Sequence, residues 1–149
     1  MADAPLLLFL LASAAPPPTL DAQQVMALQR EMLRAADRND RAALERGIAD
    51  GFRAVWIAKT NGRSHWGEAG KARVIERWSM PTPGALPTLI KEQHAAAIGD
   101  TATVSACIVD RVAEKGRETR IYSLVADTFA RIHGRWLWTF AAENEVQAC

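Results

Sequence analysis

The chain has 149 residues, of which 49% are hydrophobic and 23% charged, and its formal net charge is +1. That is the balance of a globular chain long enough for one domain, and it excludes a disordered polyelectrolyte. Arginines scattered among acids leave no basic stripe, so no nucleic-acid partner is expected.

The opening MADAPLLLFLLASAAPPPTLDAQQ carries an apolar run, Leu6 to Leu11, followed by the small residues Ala12, Ser13 and Ala14. The run is too short for a stable membrane span and, with the small residues after it, has the form of a signal peptide over 1–15. A secreted or periplasmic protein is therefore expected. Asp3 and the lack of Lys or Arg before the run depart from the usual charge pattern, and without export the protein would be cytoplasmic. Three consecutive prolines fix φ and make 16–19 an extended spacer. The single folded domain is placed at 20–149.

Val25, Leu28, Met32, Leu33 and Ala36 recur at helical spacing after Asp21, a capping residue. A second, shorter helix starts at the cap Asp40, uses Ala43, Leu44 and Ile48, and stops near Gly51. FRAVWIAKTNGRSHWG reads as a hairpin around Asn61-Gly62, a dipeptide that tolerates positive φ. EAGKARVIERWSM returns to helical spacing until Pro81 and Pro83 end it. Four strands follow, joined by turns at Gly99-Asp100, Lys115-Gly116 and His133-Gly134. In the last, HGRWLWTFAAEN, period-two geometry places Trp136, Trp138 and Phe140 on one side as a wall for the helices.

The class that results is α+β, with helices grouped early and an antiparallel meander late. Cys107 and Cys149 permit one disulfide in an oxidising compartment. Nothing in their spacing brings the two Cα atoms within bridging distance, so a buried thiol at Cys107 and a free one at Cys149 is the simpler expectation.

In this element order, NDRAALERGIADGF, GDTATVSA and ADTFARIHGRWLW resemble the nuclear transport factor 2-like superfamily, most closely its small bacterial SnoaL-like and ketosteroid-isomerase-like domains of unknown function. The resemblance covers roughly Leu20 to Val146. It implies a cone-shaped fold: N-terminal helices on a curved, mainly antiparallel sheet that wraps a pocket, the first and third helices as a lid, and commonly a homodimer through the outer sheet face. It does not imply one activity, because the superfamily includes isomerases, dehydratases, cyclases, binding proteins and toxin-immunity proteins. In the steroid isomerases a Tyr on the first helix and pocket acids do the chemistry. Here the only tyrosine, Tyr122, is on a late strand, and GFRAVWIAKT lacks a carboxylate where the first-strand base would stand.

No cofactor or metal is expected. His65, His94 and His133 are far apart without ligand spacing, Gly70-Lys71 is followed by Ala72, and no serine sits in a nucleophile-elbow frame. The candidate acids and bases are His94, which shares a strand face with Glu92, and Asp127, between Val125 and Phe129. A hydrogen-bonded sheet histidine is the ordinary reading of His94. Asp127 either projects into the pocket or, as the slightly favoured reading, pairs with Arg120 or Arg131. Tyr122 and Asp127 differ by an odd number, so an unbulged strand cannot aim both inward. Trp56, Trp78 and Trp138 are pocket-wall candidates whose default is core packing.

The function expected is binding of a small apolar or aromatic molecule by an exported homodimer. Two alternatives stand beside it: a cofactor-independent lyase or isomerase using His94 or Asp127, and a protein-interaction module working through the outer sheet face.

Overall fold

Thr19, rather than Asp21, caps the first helix, accepting a hydrogen bond from the Ala22 backbone N–H at 3.2 Å. Asp21 is instead turned to Arg131, at 2.6 Å. The structure is a computed structural model that describes residues 17–149, so the expected signal peptide at 1–15 and the first spacer residue lie outside the described residues. Helix α1 (Leu20–Asp37) buries Ala22, Val25, Gln29, Met32 and Ala35, a stripe at three- and four-residue spacing with one polar member. Asp40 caps α2 (Arg41–Gly47) by accepting from the Ala43 N–H at 3.0 Å. This helix stops short of Gly51 because Ile48 already pairs with Trp138 as the first residue of a strand.

That strand, β1 (Ile48–Thr60), turns at Asn61 and Gly62, both at positive φ, into β2 (Arg63–Gly70). Ala69 and Gly70 still pair with Ala54 and Arg53, which delays α3 to Lys71–Trp78. The meander then runs β3 (Ala85–Ile98), β4 (Thr101–Glu114), β5 (Arg117–Ile132) and β6 (Arg135–Val146). All strands join one six-stranded sheet in the order β2-β1-β6-β5-β4-β3. Every neighbouring pair is antiparallel except β1 and β6, which run parallel and carry the early hairpin to the far edge of the meander.

The three helices lie on one face of this sheet, with α1 across β3 and β4 and α3 against β1. Between them Met32, Leu44, Ile48, Phe52, Phe129 and Trp138 form a core sealed from water. Trp138 is its centre, edge-on to Phe52 at 5.5 Å and stacked on Phe129 at 6.0 Å. Burial of such large rings is a main source of the fold's stability. Among the described residues, no helix is long and apolar enough to cross a membrane.

Two expectations are corrected. Phe140 does not join the wall of Trp136 and Trp138. Phe129 faces Trp138 while Thr128 faces Phe140, so Thr139 is an extra residue in β6 and alternation reverses beyond it. Phe140 consequently sits on the outer face at 37% exposure. The cysteines are also not free: Cys107 and Cys149 form a disulfide with Cα atoms 6.2 Å apart. Cys107 points to the outer face of β4, and the segment after β6 crosses that face to meet it, with Lys91 Nζ donating to the Cys149 carbonyl.

Candidate functional site

Alternation decides which polar groups reach the concave face. On β4 the even positions Ala102, Val104, Ala106 and Ile108 are buried, and Asp110 continues that face. On β5 Ser123, Val125, Asp127 and Phe129 are buried. On β6 the bulge at Thr139 turns Ala141, Glu143 and Glu145 inward where unbroken alternation would have turned them out. At one end of the concavity, α1 and α2 close over the aromatic core. At the other, α3 alone among the described residues covers the sheet, and a cavity of about 310 Å3 remains.

Asp110, Ser123, Glu143 and Glu145 supply polar groups from the sheet to this cavity. Trp56 from β1 and Trp78 from α3 supply aromatic walls, and Arg73 and Arg77, both exposed, stand on α3 beside them. Trp56 owes its position to Gly67 across the hairpin, since a Cβ there would lie 2.4 Å from the indole. Trp78 is set from behind by Trp138, with ring centroids 5.4 Å apart.

Ser123 Oγ donates to Glu143 at 2.7 Å, and Thr88 Oγ1 is 3.0 Å from Asp110 Oδ1. Burial pushes both carboxyls above their ordinary pKa, the Ser123 and Thr88 hydroxyls pull back, and like charge adds to the rise: Asp37 for Asp110, and Asp110 for Glu143. Arg77 moderates the rise at Glu143. Two carboxyls with raised pKa lining one cavity, from β4 and from β6, are groups able to bind a polar head or exchange a proton with it.

The residues singled out from sequence are divided by the fold. Trp56 and Trp78 meet at the cavity. Trp138 is 2% exposed and supports Trp78 from the core. His94 and Glu92 do share a face, but it is the outer one, where they pair with Ser105 and Cys107 of β4 and are exposed. Asp127 faces inward and does not line the cavity. It lies under α1, where Gln29 Nε2 donates to its Oδ2. The expected arginine partner is absent among the described residues: Arg131 binds Asp21 and Asp100, and Arg120 binds Glu118. Tyr122 faces the opposite side from Asp127, as strand parity requires.

Asp110 and Ser123 were legible in principle, because each has the parity of buried apolar residues on its own strand. Glu143 was not, since its parity depends on the bulge.

Two other hollows are of different character. A cleft of about 790 Å3 between α2, α3 and β1 is lined by Arg41, Arg53, Lys71 and Arg73, with Glu45 and Asp50 already paired to Arg41 and Lys71. A groove of about 320 Å3 on the outer sheet face is lined by Val55, Ile57, Trp66, Leu124, Ala126 and Ala142.

The helices on one face of a curved, six-stranded, mainly antiparallel sheet define the nuclear transport factor 2-like α+β fold. An NTF2-like protein with a cystatin-like fold from Novosphingobium aromaticivorans superposes with a TM-score of 0.71 at 17% identity, over 86% of this chain and 84% of that one. The S. rosetta CaMKII hub gives 0.70 at 15% identity, over 87% and 100%. An NTF2-like protein of unknown function from Pseudomonas putida KT2440 gives 0.66 at 16% identity, over 85% and 87%. The sequence matches no family model and no curated protein. At these identities the likeness is one of fold.

Proposed function

We propose that the protein binds a small molecule, with an apolar or aromatic body, in the cavity between α3 and the sheet. The observation that carries the reading is the lining itself: Trp56 and Trp78 share a hollow of about 310 Å3 with Asp110, Ser123, Glu143 and Glu145 from the sheet and with Arg73 and Arg77 from α3. Ligand sites are characteristically concave, mostly apolar and supplied with a few placed polar groups.

The outer face supports the expected homodimer. Trp66 at 66%, Leu124 at 49% and Ile57 at 42% exposure form an apolar strip on a sheet face that, among the described residues, no helix covers. The S. rosetta protein of the same fold is a CaMKII hub, and an interaction role for this face is the alternative to a ligand role for the cavity. Export is supported by the signal-like sequence at 1–15 and by the Cys107–Cys149 disulfide, a bond that persists in oxidising compartments.

A second reading, a cofactor-independent lyase or isomerase, is favoured by the carboxyl pair. Asp110 and Glu143 take the acid and base places assigned from sequence to His94 and Asp127, because they reach the cavity and those two do not.

Native mass spectrometry of protein purified gently from its own host, compared with the denatured mass of the same sample, tests the binding reading. A companion mass present only in the native spectrum, and lost when Ala58→Trp fills the cavity, is the expected result. Bare dimers of both proteins would move the function to the outer face.

A further inference from the structure

Among the described residues Asp110 and Glu143 form no ion pair, and Arg77 acts on Glu143 only from a distance. Ion pairs among the described residues join Arg41 to Glu45, Lys71 to Asp50, Arg120 to Glu118, and Arg131 to Asp21 and Asp100. Among the described residues the two cavity carboxyls have hydroxyl hydrogen-bond partners alone, Thr88 and Ser123, and a hydroxyl has one proton to give. Thr88 Oγ1 is also 2.9 Å from Asp37, so Asp110 and Asp37 share one donor. Carboxylates withdrawn from water are ordinarily matched by a positive group or left protonated.

The charged groups around the pair come from each surrounding element. The α3 helix brings Arg73 and Arg77, which are exposed and therefore attenuated by solvent. Glu145 on β6 and Asp37 on α1 are negative. Beside them stand Trp56 and Trp78, whose faces attract cations through the ring quadrupole. We infer that the cavity takes an organic cation, a protonated amine or quaternary ammonium, with its nitrogen held by Asp110 and Glu143 and its apolar body against Trp56 and Trp78. The inference rests on the ligand-binding reading of the same cavity and narrows its chemistry. A positive charge relieves the like-charge effect of Asp110 on Glu143 and places inside the cavity a counter-charge that the exposed Arg73 and Arg77 supply only in attenuated form. A neutral head does neither, and an anionic head adds a further negative charge.

Three aromatic probes of similar size separate the possibilities at neutral pH: benzyltrimethylammonium, benzyl alcohol and phenylacetate. Binding is followed through the indole N–H resonances of Trp56 and Trp78. The expected result is that the ammonium probe shifts both resonances and binds about tenfold or more tightly than the alcohol. That advantage should vanish in Asp110→Asn with Glu143→Gln. Equal affinity for ammonium and alcohol at the same two indoles would overturn the cation assignment and leave the binding cavity standing. Tighter phenylacetate would also overturn it and make Arg73 and Arg77 the anchors. No shift at either indole with any probe would remove both readings. The wild-type series decides among these outcomes even if the double variant fails to fold.

Discussion

Gln29, buried on α1, donates a side-chain hydrogen bond to Asp127, buried on β5, and so ties the first helix to the middle of the sheet. The tie continues outward. Gln93 donates to Gln29 at 2.7 Å and to the Met26 carbonyl at 3.0 Å, and Arg30 donates to Gln93. A polar line thus crosses the contact between α1 and the sheet, and its inner end is a carboxyl with no arginine near enough to pair.

Burial pushes the Asp127 carboxyl from 3.8 up to about 7, against the pull of the Gln29 hydrogen bond. The folded protein therefore holds this proton more tightly than the unfolded chain does. The associated stability is complete below pH 3.8, declines as pH rises, and is lost above about 7, with a total effect of a few kcal/mol. Asp110 and Glu143 slope the same way. Asp127→Asn should flatten the fall in urea-unfolding free energy between about pH 4 and 7, because an amide has no proton to lose. A fall as steep as the wild type's would mean that Asp127 does not carry this dependence.

Ser123→Ala should raise the Glu143 pKa further. Burial is the main cause of the upward shift at Glu143, and the Ser123 hydroxyl is the group that opposes it most. The expected change is a later midpoint for the Glu143 side-chain carboxyl carbon in an NMR titration, with the Asp127 midpoint nearly still. An unchanged Glu143 midpoint would show that the 2.7 Å contact does not favour the ionised form.

How far the sequence leads can be judged at Glu143 and Cys107. Hydrophobic spacing is a property of neighbours along the chain, so α1, the Asn61-Gly62 hairpin and the meander were all legible, whereas the pair with Arg120 or Arg131 favoured for Asp127 is not the arrangement found. The bulge at Thr139 is a property of pairing with β5, and the parity of Glu143 depends on it. The helix boundaries at Gly47 and Lys71 were missed for the same reason, since strand pairing claimed residues with helical spacing. The disulfide needed the path of the chain after β6, which local pattern does not describe.

That disulfide closes a sequence separation of 42 residues, and the chain-entropy relation gives it about 4 kcal/mol. Reduction, or Cys149→Ala, should lower the urea midpoint by a corresponding amount and release the Lys91 contact. Amide exchange should quicken at 147–149 and around Cys107 on β4, while the core about Trp138 stays protected. A reduced protein with an unchanged midpoint would show that the bridge adds no net stability.

Gly67→Ala tests the seat of a cavity wall. The added Cβ would lie 2.4 Å from the Trp56 ring, and the adjoining β1–β2 pairing leaves the backbone little freedom to retreat. The indole must therefore rotate or the hairpin must shift, at a cost of about 1–3 kcal/mol by the usual scale of overpacking. Near-ultraviolet circular dichroism should change, and the unfolding midpoint should fall. Probe binding should weaken more than Trp66→Ala weakens it, because Trp66 lies on the outer face opposite the cavity. If both substitutions reduced binding equally, the aromatic wall contributed by Trp56 would have no special part in recognition.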